Sequence, residues 1–293
     1  MHIARFTRPL AVAGISAVTI LACVAASGPP RATAASSSAL YTTPLIVSTT
    51  GTGNSSLLYG PNWAGYVATG SISTASFVIA RTVFTVPSVN CTKTPNGYVS
   101  HWAGLDGLGY NAGSSSSVEA AGVTAECVSG AASYNAWWET YPDPQISVFS
   151  VNAGDTVAVQ VVYNNTTITG GADKYNFIVD DQTTGQSADL LESCAAAACR
   201  NSSAEVVTSI PSDAAGVSQS NIQTLADYAT ANFEQIGVTN SANQTGGFSS
   251  TSWVDHEALL VNPSTLAALA GTGTLYGGEA FFTSYAPPGV ISP

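Results

Sequence analysis

Residues 101–142 of this 293-residue chain bring together three of its five tryptophans and a group of carboxylates. Trp102 stands before a Leu-Asp-Gly turn, and Trp137, Trp138 and Glu139 follow one another further on. Aromatic rings offer broad surfaces on which an extended ligand can lie, and a carboxylate beside that ligand can act as a general acid or base. The stretch therefore predicts one wall of a groove with acid chemistry. The alternative is a sandwich core with two hydrated edges.

The elements that position these residues are short runs rich in Val, Tyr, Phe and Thr, separated by Gly, Asn, Asp and Pro. Such runs occupy residues 76–86, 98–104, 117–126, 134–141, 156–163, 175–180, 204–210, 225–238, 253–261 and 280–285. This spacing predicts an all-β fold, an antiparallel double-sheet β-sandwich of the jelly-roll or concanavalin-like kind. Two stretches, 188–199 and 264–270, have the composition of one or two helical turns.

The N-terminal residues 1–34 have the pattern of an export signal. Arg5 and Arg8 precede an apolar run, and Ala32-Thr33-Ala34 forms an Ala-x-Ala cleavage site. Residues 35–61 are rich in Ser, Thr and Gly and are interpreted as a disordered leader or a short propeptide. The remaining chain, 62–293, has the length of one large β domain, which we expect to be a secreted monomer.

The charge of the chain excludes several classes of partner. The full sequence has 7 basic and 18 acidic residues, and residues 1–34 contain three of the basic ones and none of the acidic ones. Such an acidic protein does not have the positive footprint that nucleic acids require. No apolar run after residue 34 is long enough to span a membrane. A surface with few charges gathers little positive charge in acid, so an acidic environment suits it.

Cysteine content agrees with export. Cys23 belongs to the signal, and the rest of the chain keeps Cys91, Cys127, Cys194 and Cys199. An even number of cysteines in a secreted chain indicates disulfides. Cys194 and Cys199 enclose only four alanines, which favours a local clip and would leave Cys91 to join Cys127; the sequence alone leaves the connectivity open.

Several common catalytic classes are excluded by their missing motifs. The chain lacks Gly-x-Ser-x-Gly, His-Glu-x-x-His and the Asp-Thr-Gly or Asp-Ser-Gly of aspartic proteases. No cysteine or histidine cluster has zinc spacing, so we expect neither a metal nor a cofactor. His101 precedes Trp102 within a strand run and is interpreted as a wall or core residue rather than a base.

Four motifs, taken in order, resemble the glutamic peptidase family, also called eqolisins. Residues 62–66 read Asn-Trp-Ala-Gly-Tyr and residues 84–87 read Phe-Thr-Val-Pro. Residues 102–107 read Trp-Ala-Gly-Leu-Asp-Gly and residues 136–142 read Ala-Trp-Trp-Glu-Thr-Tyr-Pro. The resemblance runs from about residue 62 to residue 285. It implies a secreted acid endopeptidase with a β-sandwich fold, which acts on a polypeptide substrate.

The resemblance also implies a pair of site residues that face each other across the groove. In the family a Glu is the general base for an attacking water, and a Gln orients that water and donates a hydrogen bond to the oxyanion. The Glu motif falls on Glu205, and Trp102, Asp106, Trp137 and Glu139 would shape the groove. A neutral amide remains a donor in acid, where a histidine base would be protonated.

The Gln motif is where this chain departs from the family. With Gly122 as register, the family's Gln falls on Ala120. Glu119 cannot simply replace it, because adjacent strand residues point to opposite faces. The sequence therefore predicts a glutamic-type endopeptidase whose activity is reduced or lost. The alternative is a non-catalytic module of the same fold that binds a peptide or a polysaccharide.

Overall fold

The computed structural model describes residues 39–46, 49–50, 57–70, 76–109, 115–164, 174–195, 199–216 and 218–286. The described residues form one compact unit. The predicted export signal, 1–34, lies outside the described residues.

The described residues form eighteen β-strands and one short 3-10 helix, Gln219–Asn221. The strands are β1 Thr49–Thr50, β2 Leu57–Gly60, β3 Trp63–Thr69, β4 Phe77–Thr85, β5 Gly97–Leu105, β6 Glu119–Val128, β7 Ala131–Thr140, β8 Ile146–Ser150, β9 Thr156–Asn164, β10 Lys174–Asp181, β11 Gln186–Ser193, β12 Ser203–Ser209, β13 Thr224–Leu225, β14 Thr230–Asn240, β15 Thr245–Gly246, β16 Val254–Val261, β17 Ala268–Thr272 and β18 Phe281–Tyr285.

The all-β antiparallel sandwich predicted from the strand spacing is confirmed. One hydrogen-bonded sheet folds into two layers. The first layer has the order β16, β3, β12, β5, β6, β7, β8. The second has the order β18, β14, β4, β9, β10, β11. Strand β17 pairs with both β16 and β18 and so joins the layers.

The helical expectation is wrong for residues 188–193, and residues 196–198 lie outside the described residues. Residues 186–193 form β11, which pairs along its whole length with β10. Ala, Leu and Glu residues within 188–192 favour a helix by intrinsic propensity, but an edge strand is fixed by its partner rather than by its own propensity. Residues 264–270 likewise pass from a turn into β17.

The main core lies between the two layers, where the inward side chains of both sheets meet. Phe84 and Phe233 pack there with ring centroids 5.7 Å apart. His101 belongs to this core, with its ring 5.2 Å from the Tyr228 ring and its Nδ1 2.9 Å from Thr208 Oγ1. It is therefore a core residue and not part of the groove wall.

Strand alternation places a second set of side chains on the opposite face of the first layer. This groove face is also apolar, and its buried cluster includes Trp63, Trp102, Ala120 and Trp137. A sheet face that is not turned towards the core becomes buried only if other chain segments cover it.

Both predicted disulfides are present. Cys91 joins Cys127 in the long disulfide, with 36 residues of sequence separation, and Cys194 joins Cys199 in the short disulfide. Among the described residues, no helix has the length and hydropathy of a membrane span.

Candidate active site

The candidate site is a row of four residues that crosses four neighbouring strands of the groove face. Glu205 on β12 pairs with Gly104 on β5, Gly104 pairs with Ala120 on β6, and Ala120 pairs with Glu139 on β7. Directly paired residues share one face of a sheet. Because strands lie about 4.8 Å apart, the backbones of Glu205 and Ala120 are roughly 10 Å apart, with glycine between them.

Glu205 is fully buried and has one well-defined hydrogen bond. Its Oε1 accepts from the Gly107 N–H at 2.9 Å, while its Oε2 has no hydrogen-bond partner among the residues that the structure describes. Burial raises the pKa of Glu205 to about 8, and the Gly107 N–H and the nearby Ser203 hydroxyl only partly oppose that shift. Burial thus favours the protonated form of the residue predicted as the base.

The turn after β5 positions the Gly107 N–H, and Asp106 holds that turn. The Asp106 carboxylate accepts hydrogen bonds from the Ser202 N–H and hydroxyl, at 3.1 and 2.6 Å, and from the Arg200 N–H at 2.6 Å. Asp106 has a φ of 72°, a left-handed conformation that Asp tolerates better than most residues. The predicted groove residue Asp106 is therefore an anchor behind the site.

Gly107 has no room for a side chain. A Cβ atom there would lie 2.1 Å from Trp63 Cη2 and 2.9 Å from Glu205 Oε1. The glycine lets the backbone approach the carboxylate closely enough to donate to it.

Ala120, which the sequence register predicts at the position of the family's Gln, lies on the same face as Glu205 and is fully buried. Glu119 lies on the opposite, core-side face, as strand alternation predicts. Its Oε1 is 2.9 Å from Cys199 Sγ. Glu119 therefore does not replace the missing amide in the groove.

The tryptophans line the same face beside this row. Trp102 and Trp63 meet edge to face, with ring centroids 4.9 Å apart, and Trp102 Nε1 donates to Ser209 Oγ at 2.8 Å. The sequence resemblance aligns Ser209 with a second Glu of the family. Trp137 pairs with Gly122 next to Trp102, and its buried Nε1 has no hydrogen-bond partner among the described residues.

Glu139 is at the far end of the row and is also fully buried. Both of its oxygens accept from the Thr42 N–H, at 2.9 and 2.8 Å. Burial raises the pKa of Glu139 well above its usual range, and the hydrogen bonds from Thr42 act in the opposite direction. Two carboxyl groups, Glu205 and Glu139, therefore share one desolvated face.

The covering segment is residues 39–46, which the sequence assigned to a disordered leader or propeptide. In the structure these residues are well contacted, and residues 42–45 are buried against the groove face. Sequence reasoning did not connect this segment with the site. The available signal was its apolar and β-branched run, Leu-Tyr-Thr-Thr-Pro-Leu-Ile-Val at 40–47, within a Ser- and Gly-rich stretch.

Sequence reasoning also gave no site role to Asn62 and Trp63, although both stand in the first family motif. Both donate from their side chains to the backbone of residues 39–46.

One further grouping, Glu119 with Cys194 and Cys199, has metal-ligand residue types within 4.8 Å. The two sulfurs are bonded to each other in the short disulfide, so they do not offer the thiolates that a metal would bind.

Comparisons with known proteins agree with the fold. The model of the peptidase A4 family matches residues 61–266. Among solved structures, the chain is similar to scytalido-glutamic peptidase with a transition state analog inhibitor, at 17% identity and a TM-score of 0.59, covering 77% of this chain and 98% of that chain. It is also similar to SCP-B, a member of the eqolisin family in a complex with the tripeptide Ala-Ile-His, at 16% identity and a TM-score of 0.57, with the same coverage. No curated protein matches the chain.

Proposed function

Since the chain belongs to the peptidase A4 family, the glutamic peptidases or eqolisins, we propose that it is a secreted, glutamic-type acid endopeptidase in which Glu205 is the general base. The observation that carries this proposal is the position of Glu205. It is buried on the groove face, it accepts a hydrogen bond from the Gly107 N–H, and only Gly104 separates it from Ala120 in the row of paired residues. The disulfides fit an extracellular protein.

In the proposed reaction Glu205 must be ionised when the substrate arrives. Its carboxylate removes a proton from a water molecule, the water oxygen attacks the peptide carbonyl carbon, and the C–N bond then breaks. The proton passes from Glu205 to the leaving amine, so the carboxylate is regenerated. An open, hydrated groove favours this ionisation, because the raised pKa of Glu205 comes from burial.

The second catalytic position limits the rate. Ala120 has no group to orient the water or to donate to the oxyanion. Loss of one oxyanion donor costs a hydrolase about a hundred- to a thousandfold in rate. The proposed activity is therefore weak compared with that of an enzyme that has the complete pair.

A second candidate function is a non-catalytic module that binds a peptide or a polysaccharide. The observation that favours a peptide-binding module is the groove face itself. It combines Ala120 with Trp63, Trp102 and Trp137, and it holds an extended peptide segment, residues 39–46. Such a surface binds a peptide without a base.

The test uses the protein after residue 34 with a denatured protein substrate between about pH 2 and pH 6, where a carboxylate base works. Parent, Glu205→Gln and Glu234→Gln proteins are compared by mass spectrometry of the products. Glu234 is an exposed glutamate on β14 and serves as the matched control. We expect slow cleavage by the parent and the control and none by Glu205→Gln. Equal cleavage by all three would refute Glu205 as the base.

A further inference from the structure

Residues 40–46 cross the groove face as an extended segment with few strand-like contacts of their own. Tyr41 exchanges two backbone hydrogen bonds with Ser212, at 3.0 and 2.9 Å, and the Leu40 carbonyl accepts from the Gln145 N–H at 2.8 Å. From there the segment passes over the row of candidate site residues, where Thr42, Thr43 and Leu45 are buried.

The backbone N–H groups of this segment bind to the site itself. Thr42 N–H donates to the Glu139 carboxyl group, and Leu45 N–H donates to the Gly107 carbonyl at 3.0 Å. The Gly107 N–H holds Glu205. The segment is thus linked to both carboxyl groups of the row, one directly and one through a single residue.

Its carbonyl groups are bound as well. Trp63 Nε1 donates to the Thr43 carbonyl at 3.1 Å, and Asn62 Nδ2 donates to the Pro44 carbonyl at 2.9 Å. Asn62 Oδ1 then accepts from the Ile46 N–H at 3.1 Å. These contacts are to peptide groups, so they would serve extended peptides of many sequences.

The side chains of the segment also contact the groove face. Leu45 packs in the apolar cluster of the groove face. Gly60 lies so close beneath it that a Cβ atom would be 2.6 Å from the Ile46 carbonyl oxygen and 2.8 Å from Leu45 Cδ1. Gln145 Nε2 donates to Thr42 Oγ1 at 3.0 Å.

We propose that residues 40–46 are an intramolecular blocking peptide, and that Asn62, Trp63, Gly107 and Glu139 are the main-chain-binding residues of a groove for extended peptides. The described state is then a latent one, in which a ligand must displace the chain's own segment. The interpretation of this blocking peptide as a control of peptide cleavage rests on the proposed function. The binding of an extended peptide in the groove does not depend on the proposed function.

The test opens the groove by one substitution in the full chain. Thr42→Pro removes the N–H that binds Glu139, and Ala39→Pro places the same residue at an exposed position three residues earlier. The probe is the synthetic heptapeptide Leu-Tyr-Thr-Thr-Pro-Leu-Ile, with a scrambled peptide as reference, and binding is measured by calorimetry. Loss of hydrogen bonds to a carboxyl group shifts the closed-to-open equilibrium roughly 10- to 100-fold.

We expect Thr42→Pro to bind the heptapeptide 10- to 100-fold more tightly than the parent and Ala39→Pro proteins do. Acrylamide should also quench its tryptophan fluorescence more strongly, because three tryptophans lie under the segment. Equal affinity and equal quenching in all three proteins would overturn the proposal. Leu45→Gly, which removes the buried side chain instead of a hydrogen bond, should act in the same direction if Thr42→Pro does not fold.

Two further readouts separate this inference from the proposed function. A Thr42→Pro protein that binds the heptapeptide but cuts no substrate would support the blocking peptide and refute the peptidase. Hydrogen exchange on the unmodified chain needs no substitution: the Thr42 and Leu45 amides should exchange together and faster than global unfolding. Exchange at the global rate would contradict a segment that can leave the groove.

Discussion

The Glu205→Gln substitution should remove a large part of the pH dependence of stability. Glu205 has a pKa of about 8 in the folded protein, against an ordinary value of 4.5. A raised pKa means that the uncharged form stabilises the fold, so its contribution is complete below pH 4.5 and is lost as the pH rises towards 8. A difference of about 3.5 between the pKa values, at about 1.4 kcal/mol per pH unit, corresponds to about 5 kcal/mol.

This figure is an upper limit, because residues 40–46 can leave the groove and let water reach the carboxylate before the whole protein unfolds. The assay is urea unfolding, with disulfides intact, of the parent, Glu205→Gln and Glu234→Gln proteins at pH 4.5 and pH 8. We expect the free energy of unfolding of the parent and Glu234→Gln proteins to fall with pH by several kcal/mol more than that of Glu205→Gln. Parallel pH profiles of the free energy of unfolding for all three proteins would refute the conclusion that Glu205 is buried in its uncharged form.

Three other perturbations test separate parts of the account. Burial lowers the pKa of His101 from 6.5 to about 3, so the stability that the neutral ring contributes is complete above pH 6.5 and is lost in acid. In urea unfolding at pH 6.5 and 3.5, the free energy of unfolding should fall less between the two pH values for His101→Gln than for the parent. An equal fall in both proteins would contradict this. From the loop lengths, replacing both cysteines of the long disulfide by serine should lower the free energy of unfolding by about 4 kcal/mol, and replacing those of the short disulfide by about 2 kcal/mol. Equal losses in urea unfolding would argue against a loop-entropy origin. Gly107→Ala, whose Cβ would meet Trp63, should lower the stability by about 1–3 kcal/mol, whereas Gly271→Ala, whose nearest contact is an ordinary 3.8 Å, should cost less than 1 kcal/mol; a stable Gly107→Ala would contradict the close packing at the turn.

The sequence predicted those features of the site that depend on strand alternation. Glu205 and Ala120 were placed by motif register, and alternation sent Glu119 to the other face, where the structure has it. A period of two fixes the face of every residue once the strand is recognised. The local clip between Cys194 and Cys199 followed from its short spacing.

Features that depend on long-range contacts could not be predicted in this way. Asp106 lies in a family motif, but its hydrogen bonds to residues nearly one hundred positions later make it an anchor of the turn. The contact between Thr42 and Glu139 also joins residues 97 positions apart. Composition made residues 39–46 look like part of a leader, because no local pattern tells a disordered segment from one that is buried by a distant sheet.

The central claim is that Glu205 and position 120 form the two sides of one catalytic groove. The most direct measurement is kcat/KM for a denatured protein substrate in acid, for Ala120→Gln and for Ala120→Gln combined with Glu205→Gln, both in the Thr42→Pro chain that opens the groove. Restoring the amide donor should raise kcat/KM about a hundredfold or more over the chain with Ala120, and adding Glu205→Gln should abolish the activity. No gain from Ala120→Gln, or activity that survives the loss of Glu205, would contradict the assignment.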